Sequence, residues 1–312
     1  MKESSNGRDL QAVTGEAGTA AAAAALDRRG LIGGLAALAL GAAAVPAAAA
    51  DALAALERGT GGRFGFCALD RTGAVLLAHR ADERFLLCST FKTFLAGAVL
   101  DEVERGRLAL SAPVPVSAAD LVVHAPAVEA ALGRGTMTIE ELCAAATVLS
   151  DNAAANLLLG RIGGPPALTR FFARLGGRPS RLDRREPALN VPSGRLDTTT
   201  PRAAARMLRA LLDGPVLDPA NRDRIERWMV DTKTGLGRLR AGLPPQLRAG
   251  DKTGTGPNGI ANDIAFADLP GGRRIYLAAY LDGPALPAPA RDARLAAAAR
   301  HALAAVAPPP AR

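Results

Sequence analysis

Residues 86–95 read "LLCSTFKTFL", and the reading of this stretch decides the fold. An unbroken apolar run here would be a plain buried helix, but Ser89 and Lys92 interrupt it at a spacing of three. Phe91, Phe94, Leu95, Ala98 and Val99 recur at helical period, so the spacing predicts a helix that begins near Ser89 and stops at Gly106. Residues i and i+3 share a helix face, which lets the Lys92 amine approach the Ser89 hydroxyl. Ser89 lies at the expected helix N-terminus, where the peptide dipoles favour a developing negative charge. A serine is a poor nucleophile until a base removes its proton, and a partly desolvated, neutral lysine can be that base. A capping serine beside an unrelated lysine is the plain alternative, and these residues alone leave it open.

Outward from this stretch the periodicity changes twice. On the N-terminal side, residues 51–59 read as a helix, and "RFGFCALDRTGAVLLAHR" (63–80) as two strands around a "DRTG" turn. On the C-terminal side the middle of the chain is helical. "TIEE" (138–141) is a capping box opening a helix to Leu149, and "AAANLLLGRIGG" and "PPALTRFFARLGG" are two more helices stopped by glycines. Thr200-Pro201 and Asp218-Pro219 are N-caps followed by proline at the first helical position. Between them and the preceding helix lies "RPSRLDRREPALNVPSGRLD" (178–197), a long irregular loop of the kind usually kept for function. After residue 250 strands return in "NDIAFADLP" and "RRIYLAAYLD", and an alanine-rich helix spans about 290–306. The expected fold is α+β. One antiparallel sheet is built from both chain ends (51–85 and 232–312) and flanked by helices, beside an all-helical part (86–231). Sites form in the cleft between such halves.

The 312 residues are 49% hydrophobic and 22% charged, an ordinary soluble composition that can bury a core. The net charge of +8 would fit a nucleic-acid partner, but acids are interspersed with the arginines and only 4% of residues are aromatic, which leaves few rings for base stacking. No nucleic-acid partner is expected. Of 38 basic residues only Lys2, Lys92, Lys233 and Lys252 are lysine. A guanidinium cannot give up its proton whereas an ammonium can, so the surviving lysines mark positions where arginine chemistry would not serve. Residues 27–34, "DRRGLIGG", precede an uncharged stretch that ends in Ala-x-Ala near Ala50. That is the pattern of a twin-arginine export signal cleaved near Ala50, so residues 1–50 are expected to be signal and extension, and 51–312 the functional domain. The expected location is periplasmic or secreted, with membrane contact only during export. Export permits disulfides, but Cys67, Cys88 and Cys143 are odd in number and lack metal-ligand spacing. His79, His124 and His301 are scattered, which argues against a zinc hydrolase and a histidine-based triad, and no metal or cofactor is expected.

Three further motifs carry chemistry. "SDN" (150–152) falls where one helix ends and the next begins; Ser150 and Asn152 can point into a cleft there, although all three residue types also cap helices. "DKTGTGPNG" (251–259) contains Gly-x-Gly-x-x-Gly, but it leads into a strand rather than a helix, so it is no dinucleotide fingerprint. It reads instead as an edge strand, Lys252-Thr253-Gly254-Thr255, whose glycines admit a ligand close to the backbone. "REPALN" holds Glu186 and Asn190, a carboxylate and an amide able to position and activate a water. Arg184 and Asp197 could tie the ends of that loop by an ion pair, worth little if exposed.

In this order, "STFK" (89–92), "SDN" (150–152), "EPALN" (186–190) and "KTG" (252–254) resemble the motif set of the class A serine β-lactamases. The resemblance extends over about residues 55–305. It implies a β-lactamase/transpeptidase-like fold and hydrolysis of the β-lactam ring of penicillins and cephalosporins, with antibiotic resistance as the outcome. It implies Ser89 as the acylated nucleophile, with Lys92, or Glu186 through a water, as the acylation base. Backbone N–H groups of Ser89 and Thr255 would form the oxyanion hole. Ser150 would protonate the departing lactam nitrogen, Asn152 would bind the substrate's side-chain amide, and Lys252, Thr253 and Thr255 its carboxylate. Gly254 belongs to the same binding strand. Glu186 and Asn190 would position the hydrolytic water, and the Glu186–Pro187 bond is often cis in such relatives. The family acts as a monomer without a cofactor.

Some positions depart from the family pattern. The arginine many relatives carry shortly after the third motif is absent from "GPNGIAN", and Arg238 matches the alternative source of that charge. Ala96 stands where a common disulfide would partner Cys143, and Gly256 where a second would partner Cys88. His124 occupies the place of an aromatic gatekeeper, and the 184–197 loop is about two residues short. A penicillin-binding transpeptidase shares the serine, the lysine and the third motif but lacks the deacylating glutamate. A serine-dependent glutaminase fits the Lys-Thr-Gly strand less well, and an inert binding module is not favoured because every catalytic residue is present.

Overall fold

The computed structural model describes residues 47–306. Residues 1–46 and 307–312 lie outside the described residues, and with them the arginine pair and most of the apolar stretch read as an export signal. In chain order, α1 (Ala47–Glu57) leads into the hairpin β1 (Arg63–Asp70) and β2 (Val75–His79), then β3 (Phe85–Leu86) and α2 (Phe91–Glu104). Next come β4 (Pro113–Pro115), α3 (Pro126–Ala130), β5 (Thr136–Thr138), α4 (Ile139–Val148), α5 (Asn152–Ile162) and α6 (Pro165–Arg174). A long loop reaches β6 (Thr198–Thr199), α7 (Pro201–Asp213) and α8 (Pro219–Val230). The sequence then runs through β7 (Ala249–Thr255), β8 (Ile260–Leu269), β9 (Arg273–Asp282) and α9 (Ala288–Val306). The first helix starts four residues earlier than its periodicity indicated, so a cut near Ala50 would fall in its first turn.

Five strands form one antiparallel sheet in the order β2-β1-β9-β8-β7. The two chain ends therefore interleave, with β1 and β9 paired from Arg63↔Asp282 to Asp70↔Ile275. The β1–β2 turn closes as its "DRTG" letters require. Asp70 Oδ1 accepts from the amides of Thr72 and Ala74 at 2.8 and 2.9 Å, and Gly73 takes φ +92°. Side chains alternate between the sheet's faces with period two. Phe64, Phe66, Leu277 and Leu281 face α1 and α9, where they meet Leu53 and Leu295. Cys67, Leu69, Tyr276 and Tyr280 face the larger core under α2 and α7, with Phe94, Leu95, Leu208 and Leu211. Each fully buried Leu or Phe in these layers contributes roughly 1.5–3 kcal/mol.

The middle of the chain is not wholly helical. β4 pairs with β5 and β3 with β6, each a two-stranded ribbon. The sequence "PVP" of β4 explains one of them, since two prolines cannot sustain a helix but fit a short extended edge. The other matters for the site. It joins the end of the long loop to the segment just before Ser89, and Leu87 N adds a hydrogen bond to Asp197 O at 2.8 Å.

Candidate active site

Ser89 sits in a single 3₁₀ turn, Cys88–Thr90, that runs directly into α2, so Lys92 occupies the helix's first turn. The turn is pressed against β7. A Cβ on Gly254 would meet Cys88 Cβ and Leu87 O at 3.0 Å and Ser89 N at 3.2 Å. The glycine thus admits the close approach of the protein's own nucleophile turn, a demand its sequence context did not show. A Cβ on Gly256 would likewise meet Cys88 Sγ at 3.0 Å. Cys67, Cys88 and Cys143 are buried and unpaired.

Lys92 is fully buried and is the hub of the site. Its Nζ donates to Ser89 Oγ at 3.0 Å, Ser150 O at 2.8 Å and Asn152 Oδ1, and lies 3.4 Å from Ser150 Oγ. Glu186 Oε1 lies 3.2 Å away, with both side chains at 0% exposure. That contact is an ion pair off the hydrogen-bond direction, and Oε1 has no other donor. Burial pushes the Lys92 amine below its ordinary value, and the Glu186 carboxylate opposes this only in part.

Glu186 is aimed by the loop that carries it. The Glu186–Pro187 peptide is cis. Asn190 Nδ2 donates to Glu186 Oε2 at 2.5 Å, and Asn156 of α5 clamps the Glu186 backbone from both sides, accepting from its N–H at 3.0 Å and donating to its carbonyl at 2.9 Å. The loop's ends close on Asp197, which is completely buried. Its carboxylate accepts from the amides of Asp183 and Arg184 at 2.8 and 2.9 Å and pairs with Arg184 Nε at 2.6 Å. The Arg184–Asp197 pair is therefore a buried, backbone-reinforced latch and not a weak surface contact.

The α4–α5 junction does two jobs at once. Asp151 caps: its buried carboxylate accepts from Ala154 N at 2.8 Å and from Ala127 N and Val128 N of α3 at 2.8 and 3.1 Å. Ser150 takes φ +60°, which turns its side chain towards the two lysines. Asn152 meets Lys92 through Oδ1 and donates from Nδ2 to Val123 O at 2.6 Å. The exposed His124 donates from Nε2 to Leu149 O at 2.9 Å and accepts at its own carbonyl from Asn152 N. Non-glycine residues with positive φ include Cys88 and Ser150, each at a motif boundary, and His124 and Asp197, where such strain is held by surrounding contacts.

β7 is an edge strand and supplies the opposite wall. Lys252 Nζ donates to Ser150 Oγ and to Thr253 O, both at 3.0 Å. Burial first, and then the positive charge of Lys92, push its pKa to about 7. Thr253 Oγ1 meets Thr234 Oγ1 at 2.8 Å. Behind the strand the buried Arg238 donates to Gly254 O at 2.8 Å, Asn262 O at 2.9 Å and Thr255 Oγ1 at 2.9 Å, and pairs with Asp292 at 2.8 Å. Asp251, buried beside Lys252, is pushed up to about 6 by desolvation against the pull of Arg240.

The candidate catalytic and substrate-binding residues named from the sequence thus meet here. Ser89, Lys92, Ser150, Asn152, Glu186, Asn190 and Lys252 form one connected network, Thr253, Gly254, Thr255 and Arg238 join it through β7, and His124 joins it through Asn152. Sequence reasoning missed Asn156, Asp151 as an anchor, Thr234 and Asp292. Asn156 had a faint signal, one helical turn after Asn152; the others had none, because their partners are remote in sequence.

Comparison with known proteins agrees with this geometry. A family model described as "Beta-lactamase enzyme family" matches residues 48–306. The chain is 45% identical to the β-lactamase L2 of Stenotrophomonas maltophilia over 241 residues, 76% of this chain and 79% of that protein. It is 42% identical to the β-lactamase CTX-M-8 of Citrobacter amalonaticus over 250 residues, 80% and 86% of the two chains. Among solved structures, a class A β-lactamase reconstructed as the last common ancestor of Gram-negative bacteria superposes with a TM-score of 0.80 at 49% identity, covering 83% of this chain and 99% of its own. Fold, motif geometry and similarity over most of the chain place this protein in the β-lactamase enzyme family, in class A.

Proposed function

We propose that Ser89 and the network around it open the β-lactam ring of penicillins and cephalosporins through an acyl-enzyme, the activity that confers resistance to these drugs. The observation that carries the reading is the placement of Lys92 Nζ, fully buried, 3.0 Å from Ser89 Oγ and 3.2 Å from Glu186. Lys92 and Glu186 act as a dyad that holds one mobile proton. With that proton on Glu186, neutral Lys92 takes the Ser89 proton directly as Oγ attacks the lactam carbonyl. The backbone N–H groups of Ser89 and Thr255 receive the developing oxyanion. Ser150 then gives its proton to the lactam nitrogen as the C–N bond breaks, and is refilled from Lys92 across 3.4 Å. In the second half the mobile proton passes from Glu186 back to Lys92; Glu186 and Asn190 then hold a water, Glu186 removes its proton as the water attacks the ester carbonyl, and Ser89 recovers a proton from Lys92, which restores the starting state.

Substrate binding follows from the same network. The Lys252 ammonium and the Thr253 and Thr255 hydroxyls take the substrate carboxylate, with Arg238 orienting Thr255 from behind the strand and adding positive charge. Asn152 binds the side-chain amide, and His124 borders the entrance. The protein works as a monomer without metal or cofactor. Class A β-lactamases are typically exported, and residues 27–50 act as a twin-arginine signal: replacing Arg28 and Arg29 together by lysine should retain the protein in the cytoplasm. For the activity itself, mass spectrometry after brief exposure to penicillin should find the drug added to Ser89, and a chromogenic cephalosporin should be hydrolysed. An adduct elsewhere, or none on folded protein, would overturn the assignment.

A further inference from the structure

The positive charge of this chain is unevenly spread. The net charge is +8, and residues 161–195 alone hold eight arginines against two carboxylates, so acids are not evenly interspersed after all. Both carboxylates are already engaged, Glu186 with Lys92 and Asp183 with Arg181. Arg174 and Arg184 pair with Asp101 and Asp197 outside the segment, and the guanidiniums left over are balanced by solvent or by an anion.

Three guanidiniums converge on one cavity. A hollow of about 490 Å³, which none of the catalytic side chains lines, is bounded by Arg84, Arg178, Arg181, Asp183 and the Pro179 segment, with Pro166 and Thr169 of α6, at the root of the long loop. Arg84 is half-buried and donates only to neutral oxygens, Pro179 O at 2.6 Å and Thr198 Oγ1 at 2.9 Å. Burial and the charges of Arg195 and Arg181 beside it push its guanidinium below the usual value, the mark of a cation in want of a counter-charge. Arg178 is exposed and makes no ion pair among the described residues. Arg181 shares Asp183 through Nε and Nη2 and keeps Nη1 free of it. The hollow therefore carries three guanidiniums and one carboxylate, a surplus of two charges. Planar forks approaching from two separate segments suit a tetrahedral anion with several acceptor oxygens.

We propose that this cavity is a binding site for a doubly charged phosphate group, with Arg84 and Arg178 as its principal donors and Arg181 as the third. A phosphate there would bridge the strand ahead of Ser89, the end of α6 and the Asp183–Asp197 latch, and so brace the root of the loop that carries Glu186. Inorganic phosphate, pyrophosphate and an anionic lipid headgroup present the same chemistry.

The test is thermal unfolding of the purified protein with phosphate or pyrophosphate, at an ionic strength held constant with sodium chloride. A saturable rise of about 3 °C is expected, since a ligand that binds only the native state stabilises it by mass action. Arg178→Gln breaks no named contact and should fold normally, yet it should lose the rise, and Arg84→Gln should weaken it. Arg170→Gln removes the same charge from the same segment outside the cavity and should keep it. Flotation with vesicles containing an anionic phospholipid separates the sources: co-flotation abolished by Arg178→Gln identifies a headgroup, and its absence beside a phosphate-dependent rise identifies the soluble anion. No rise, an equal rise with chloride alone, or equal responses from Arg178→Gln and Arg170→Gln would each overturn the proposal.

Discussion

Two lysines, both at 0% exposure, meet within one site and are compensated in opposite ways. Lys92, on the first turn of α2, has a carboxylate at 3.2 Å and acceptor oxygens from Ser89, Ser150 and Asn152 around it. Lys252, on the edge strand β7, has only a hydroxyl and a peptide carbonyl, with Asp251 and Asp263 acting on it without a hydrogen bond. Burying an ammonium is costly unless it is paired, and the unpaired one loses its proton first. A lysine paired inside the protein can pass a proton back and forth with its partner. A lysine left short of a counter-ion waits for an anion from outside. The first suits chemistry and the second suits recognition of a substrate carboxylate.

The largest test of this contrast is Lys92→Arg. Charge is kept, but a guanidinium cannot become a base and its fork does not fit a hub built for a compact ammonium. We expect kcat/KM to fall by about 10³, within the range general-base loss produces. Near-normal turnover would break the contrast at its stronger half. Glu186→Gln comes next. It removes the carboxylate that holds Lys92 charged, so acylation should persist while deacylation slows by about 10³ and a stable adduct accumulates. Mass spectrometry during turnover reads this directly, and normal steady-state turnover would remove Glu186 from the dyad.

Lys252 sharpens the comparison through pH. In the free enzyme its amine titrates near 7, and only the ammonium binds a carboxylate, so kcat/KM should decline as pH rises through that value. A bound carboxylate favours the ammonium, so the corresponding limb of kcat should lie at higher pH. Lys252→Ala should raise KM by about 30-fold, as expected for a lost charge-assisted hydrogen bond, and erase the limb. Stability has its own sign. Between about pH 7 and 10 the unfolded lysine holds a proton that the folded one has lost, so this group makes the protein more stable as pH rises, and Lys252→Ala should flatten that slope. A kcat/KM flat to pH 9 would mean that Lys252 is as well compensated as Lys92.

The sequence made one side of this contrast easier to read than the other. The Ser89–Lys92 pair, the Thr138–Glu141 capping box and the Thr200 and Asp218 caps are local, three residues apart, and helix geometry alone brings them together. The strand-borne half depends on distant partners. Lys252 reaches Ser150 across 102 positions, Arg238 reaches Asp292 across 54, and Gly254 is glycine because Cys88 and Ser89 press on it. No periodicity encodes such contacts; the motif resemblance placed Lys252, Ser150 and Arg238 in one site but gave neither Asp292 nor the packing on Gly254. The loop latch was visible as Arg184 and Asp197, but its strength was not, because burial of Asp197 follows from β3–β6 pairing that two-residue strands do not announce.

Asp197→Asn separates the two lysines further. The latch supports the loop under Glu186 and therefore Lys92's partner, but nothing on β7. Losing a buried, twice hydrogen-bonded carboxylate should cost about 2 kcal/mol and open residues 184–197 to proteolysis. Deacylation should slow while the alkaline limb of kcat/KM assigned to Lys252 stays where it was. If both change together, the two lysines share one support and the contrast between them is one of degree.

The smallest expected effect is at Thr138. Its hydroxyl accepts from Glu141 N at 3.1 Å, and Glu141 Oε2 accepts from Thr138 N at 2.7 Å, which caps α4 at the end away from Ser150. Thr138→Ala should cost about 1 kcal/mol and lower Tm by about 2–4 °C. Because α4 leads into the SDN junction, this variant asks whether a frayed far end is felt at Ser150. Asp151 fixes that junction through three amides, two of them from α3, which makes it independent of the cap. Unchanged kinetics beside a lowered Tm would show that both lysines are held by local contacts. A changed kcat would mean instead that the position of Ser150 between Lys92 and Lys252 is set by the whole length of the helix.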